Sequence, residues 1–182
     1  SLHFIDRATG TDYCATNPPA PFASVKKSGR VFAASSASYD GGKLIANFGD
    51  SGVTATLAVT TKNHYFIFEV TDIHGDGVEE LVFTDLPLTL KGTPDEPFAG
   101  CAVALNLQTN VRDIPGASRQ LWAACYPRFG LKGAKAALIG CPQKELRRVL
   151  QEVVSEAPDL PHSPIGGPWA LDSEKNRGSY LF

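Results

Sequence analysis

Val53-Thr54-Ala55-Thr56-Leu57-Ala58-Val59-Thr60-Thr61, a break at Asn63-His64, and then Tyr65-Phe66-Ile67-Phe68-Glu69-Val70 decide the fold class. In the first run apolar residues alternate with threonine, the period-two pattern of a strand with one face buried. The second is dense in aromatic and β-branched residues, which fit a pleated surface. Working outward, short runs of this kind recur about every eight to twelve residues with turn chemistry between them, as in an all-β sandwich or barrel. Upstream lie 22–27, 30–39 and 43–48, separated by Ser28-Gly29 and Asp40-Gly41-Gly42 and followed by Gly49-Asp50-Ser51-Gly52. The Asp-Gly-Gly sequence predicts a hairpin, because glycine reaches positive φ without steric cost. Downstream, His74-Gly75-Asp76-Gly77 turns the chain, and 79–90, 100–107, 119–126 and 134–139 read as further strands, with a loop over 109–118.

After residue 141 the period changes. Leu146, Val149, Leu150, Val153 and Val154 recur at helical spacing, predicting one amphipathic helix over 143–157 that Pro158 ends. The organisation read from the sequence is an extended lead-in over 1–21, rich in proline at its end, and an antiparallel β-sandwich over 22–157. An extended Pro/Gly-rich arm follows over 158–182. There is no methionine, and the chain stops on Tyr180-Leu181-Phe182. We therefore expect a fragment whose continuation follows Phe182, since natural tails are usually polar.

Composition excludes several function classes. Of the residues, 43% are hydrophobic and 20% charged, with a net charge of -2, which is ordinary for a globular domain and argues against a nucleic-acid partner that needs a basic surface. The apolar runs are too short to span a bilayer, and Ser1-Leu2-His3-Phe4-Ile5-Asp6 lacks the pattern of a signal peptide. Cys14, Cys101, Cys125 and Cys141 show no CxxC or Cys/His metal spacing, and the last three sit in core-like contexts.

Three groups of residues are candidates for chemistry. Asp72, Asp76 and Glu80 in Asp72-Ile73-His74-Gly75-Asp76-Gly77-Val78-Glu79-Glu80 resemble a calcium loop, although His74 stands where such a loop wants a further oxygen ligand. The alternative is a turn using glycine and aspartate for backbone geometry. Trp122 and Tyr126 share one face of a predicted strand, and Leu121, Ala123 and Cys125 share the other. If the first face is exposed, the two rings form a platform for sugar C–H faces, and Arg112, Arg119 and Arg128 are within the same stretch to bond hydroxyls. If it is core, the platform does not exist. Trp169, Tyr180 and Phe182 in the terminal arm are candidates for docking onto a neighbouring domain. No nucleophile elbow, P-loop or dinucleotide fingerprint is present.

Several stretches together carry a resemblance: 23–29, 48–53, 65–70, 77–81, Cys125-Tyr126-Pro127-Arg128-Phe129-Gly130, and Pro161-His162-Ser163-Pro164-Ile165-Gly166-Gly167-Pro168-Trp169. The chain from about residue 20 onward resembles the N-terminal galactose-mutarotase-like β-sandwich of large, poorly characterised bacterial glycoside-hydrolase-like proteins. The resemblance implies a supersandwich that precedes a (β/α)8 barrel, with catalytic carboxylates in that barrel and none in this chain. It implies two partners, the following catalytic domain of the same polypeptide and an oligo- or polysaccharide. It also implies an extracytoplasmic location, and no cofactor unless the calcium loop is real. An independent carbohydrate-binding module and a standalone mutarotase- or lyase-type enzyme are the rival expectations.

Overall fold

The computed structural model describes residues 2–14, 21–93, 95–112 and 120–159. Two antiparallel sheets face one another. Strands β1 (Ser24–Lys27), β2 (Arg30–Ala33), β7 (Val78–Pro87), β9 (Thr109–Val111) and β10 (Gln120–Cys125) form a five-stranded sheet in the order β2-β1-β7-β10-β9. Strands β3 (Ser36–Asp40), β4 (Lys43–Asn47), β5 (Thr54–Thr61), β6 (Tyr65–His74), β8 (Phe98–Ala104) and β11 (Lys135–Pro142) form a six-stranded sheet in the order β3-β4-β5-β6-β11-β8. The chain is an all-β sandwich with one short helix, as the period-two runs predict.

The predicted strand over 30–39 is two strands in different sheets. Ala34 donates its N–H to Ala23 O at 2.9 Å in one sheet, and Ser35 donates to Asn47 O at 2.8 Å in the other. The predicted loop over 109–118 begins with the short strand β9, and 113–119 lies outside the described residues. The turn at 74–77 does not close a hairpin. It carries the chain from β6 in one sheet to β7 in the other. Gly75 is required there: its φ is +100°, and a Cβ would lie 2.7 Å from the carbonyl oxygen of Gly52.

The main core lies between the sheets. Val25, Leu81, Phe83, Leu121, Ala123 and Cys125 from one sheet meet Phe48, Leu57, Val70 and Leu138 from the other side. A second core lies on the outer face of the six-stranded sheet. Residues 143–145 make a 3-10 turn that leads into α1 (Leu146–Ser155), whose Leu146, Val149, Leu150 and Val153 cover Ile67, Cys101, Ala137, Ile139 and Cys141. The apolar stripe read from the sequence is thus the face that packs. Residues 2–14 are not simply extended. Ile5 and Asp12 form a bridge, Cys14 pairs with Leu88, and the rings of Phe4 and Tyr13 pack on Phe98 at 5.8 and 5.3 Å. No helix among the described residues is long and apolar enough to cross a membrane.

Candidate functional site on the outer face of the five-stranded sheet

With Leu121, Ala123 and Cys125 committed to the main core, alternation along β10 turns Trp122 and Ala124 to the opposite, outer face. Trp122, Ala124 and Val82 form a small apolar cluster there, with Tyr126 against it. Pairing adds polar groups. Asp85 stands directly across from Trp122 in the β7–β10 register, and Ala124 stands across from Asn110 of β9. A bulge shifts this register between Ala123 and Ala124, so that Ala123 opposes Thr84 and Ala124 opposes Val82. The bulge puts Asp85, inside the apolar run Leu81-Val82-Phe83-Thr84-Asp85-Leu86, on the outer side with the indole.

The groups are connected. Gln120 Nε2 donates to Asp85 Oδ1. The exposed guanidinium of Arg112 lies over the indole of Trp122, 4.4 Å from its centroid, a cation–π geometry. Tyr126 donates its hydroxyl to Glu80 Oε1 at 2.8 Å, and Asn110 reaches the same hydroxyl. Burial pushes the Asp85 carboxyl above its usual range, against the opposing pull of Gln120 and Arg112. Burial, and then the bond to Glu80, push the Tyr126 phenol up as well. The arrangement offers a carboxylate, a guanidinium, an amide and a phenol around one indole.

The sequence-nominated residues are distributed as follows. Trp122 and Tyr126 do share this face. Trp122 is only 3% exposed, so it presents no open platform. The place over its ring belongs to Arg112, whereas Arg128, in the 3-10 turn Pro127–Phe129, stacks on Phe129 at 5.0 Å. Asp72, Asp76 and Glu80 do not converge. Asp72 pairs with Lys132 and, at 3.0 Å, with His74. Asp76 is solvent-exposed with Lys27 at 3.3 Å, and Glu80 takes the Tyr126 hydroxyl. Among the described residues no three His, Cys, Asp or Glu side chains are grouped to hold a metal ion. Trp169, Tyr180, Phe182, the arm and Arg119 lie outside the described residues. All four cysteines are buried, and burial holds the Cys125 thiol up at about 12 and the Cys141 thiol at about 11, which suppresses their nucleophilic thiolates at neutral pH.

Sequence reasoning missed Asp85, Gln120 and Asn110. The signal for Asp85 was available, since a carboxylate inside an otherwise apolar strand must point away from the core or find a partner. Beyond this face, an open groove of about 510 Å³ runs past Ile73, Val78, Pro127 and Leu131 at the β6–β7 turn.

In comparisons with known proteins, no family model, no curated protein and no solved structure matched the chain.

Proposed function

We propose that this chain is a non-catalytic β-sandwich accessory domain of a carbohydrate-active, glycoside-hydrolase-like protein. In this reading the outer face of its five-stranded sheet contributes to a glycan-binding cleft beside a following catalytic barrel. The observation that carries the reading is the assembly of Trp122, Arg112, Asp85 and Gln120 in one place on that face. Sugars present hydroxyls that bond carboxylates and amides, and C–H faces that pack on aromatic rings. A position served by all of these suits a glycan better than it suits an apolar ligand. The resemblance noted in the sequence points to the same class of protein, and an extracytoplasmic location goes with it.

A second reading, an independent carbohydrate-binding module, draws on the same observation, because every group named comes from this one chain. Calorimetric titration of the chain with soluble polysaccharides and neutral oligosaccharides tests both. Saturable binding that Asp85→Asn weakens at least tenfold, with the fold intact by circular dichroism, supports the glycan face; loss of one buried charged hydrogen-bond partner has about that effect. Binding that Asp85→Asn leaves unchanged moves the site elsewhere. No binding to any glycan overturns the glycan reading of this face in both forms.

A further inference from the structure

We infer that Arg112 is a displaceable cover on the sugar-stacking face of Trp122, and that the ligand it yields to is a neutral glycan. The inference rests on the glycan reading of this face and deepens it. Trp122 lies on the solvent side of its sheet, yet it is 3% exposed. From the side it is closed by Val82, Ala124 and Tyr126, which belong to the strands or follow them directly. Over its ring lies Arg112, an exposed residue one past the end of β9, with its centre 4.4 Å from the centroid. That is the position and distance a sugar C–H face takes on an indole. A long, exposed side chain is also the kind that moves at low cost, because a cation–π contact at the surface is weak.

The displaced guanidinium has somewhere to go. Asp85 stands across from Trp122, and its carboxylate already feels the charge of Arg112. Swinging from the ring toward Asp85 exchanges a cation–π contact for an ion pair beside a half-buried carboxylate, where screening by water is weaker. The ring is then open, and Gln120 and Asp85 stand next to it as hydroxyl-binding groups.

The charge around the ring selects the ligand class. Two carboxylates, Asp85 and Glu80, lie on this face, with Arg112 and, across from Glu80, Lys26. With Arg112 turned toward Asp85 and Lys26 held 4.0 Å from Glu79, no cation on this face among the described residues is left over for a uronic acid, and the carboxylates repel one. A neutral sugar has no such penalty.

The test uses the whole chain with Trp169→Phe, which leaves Trp122 as the single indole of the two in the sequence. Acrylamide quenching and emission wavelength are measured with and without Arg112→Ala, and with Arg112→Gln as a second variant, each checked for an intact fold by circular dichroism. Neutral oligosaccharides (gluco-, manno-, xylo- and galacto-series) and oligogalacturonate are then titrated. The expected result is that both variants make Trp122 more quenchable and shift its emission to the red. Both are also expected to bind a neutral series about two- to fivefold more tightly, the worth of the lost cation–π contact expressed as a ratio, while oligogalacturonate does not bind. Unchanged quenching overturns the cover, whatever the sugars do. Preferential binding of oligogalacturonate that Arg112→Ala abolishes overturns it too, and makes Arg112 a carboxylate clamp. Increased quenching with no neutral glycan bound by any variant overturns the glycan reading while the cover stands.

Discussion

Trp122 is at once a packing residue and the centre of the candidate site. Its ring fills the outer-face cluster with Val82 and Ala124, so Trp122→Ala is expected to cost about 3–5 kcal/mol, read by urea unfolding. A cost below about 1 kcal/mol, the size of an ordinary surface change, would mean that the ring is not packed as described. Thr84, at the neighbouring bulge, is 0% exposed, and its hydroxyl has no hydrogen-bond partner among the described residues. Replacing it by the near-isosteric valine removes a buried polar group that gains nothing in the fold. Thr84→Val should therefore be neutral or stabilise by about 1 kcal/mol in the same unfolding assay. A clear loss would reveal a partner for the hydroxyl. At this scale the sequence was half legible. Alternation placed Trp122 with Tyr126, but Trp-Ala on one side and Leu-Ala-Cys on the other are both apolar, so nothing local said which side faced the second sheet. Arg112 was recognised only as one arginine among several, since its place over the indole depends on the pairing of β9 with β10.

Helix α1 shows how the elements are held. It has no side-chain N-cap, and at ten residues it is too short to persist alone. Its stability comes from the apolar stripe on the six-stranded sheet. Leu150→Ala should cost about 2–5 kcal/mol and loosen the helix first, which amide hydrogen exchange over α1 would detect. Exchange that rises uniformly across the molecule would instead make the helix part of a single cooperative unit. The N-terminal turn is held differently. Asp12 bonds His3 at 2.6 Å and accepts the N–H groups of Cys14 and Phe4, each at 2.9 Å, and these contacts hold its carboxyl down at about 2. A carboxyl with a depressed folded value favours the folded turn above its unfolded value of 3.8, and that contribution is lost as pH falls toward 2. The Phe4 and Cys14 amide resonances should hold their positions down to about pH 3 and then move with a midpoint at about 2. The same movement should be present already at neutral pH in Asp12→Asn. A midpoint near 4 would contradict the hydrogen-bonded carboxylate.

Elements with their own local signals were the legible ones. The Gly41-Gly42 hairpin, with φ of 54° and 82°, and the helical stripe both appear where their residues place them. The split of 30–39 between two sheets was not legible, because Ala34-Ser35 carries no glycine or proline and the change is made by backbone bonds to Ala23 and Asn47, far away in sequence. The bulge that turns Asp85 outward is hidden for the same reason.

On the scale of the whole molecule, the two outer faces differ in kind. One is sealed by α1 with apolar contacts, and the other carries indole, guanidinium, carboxylates and amides. The β6–β7 turn acts as a corner between the sheets, its carboxylates committed to Lys132, His74 and Lys27. Thermal unfolding should accordingly give the same midpoint in excess calcium as in chelator. A calcium-dependent rise that Asp76→Ala removes would restore the calcium loop. The most direct test of the central claim is a 1H–15N titration of the chain with neutral oligosaccharides. Saturable shifts are expected, concentrated at Asn110, Arg112, Gln120, Ala124 and the Trp122 indole N–H. Shifts confined to α1 or to the six-stranded sheet, or none with any neutral glycan, would contradict that claim.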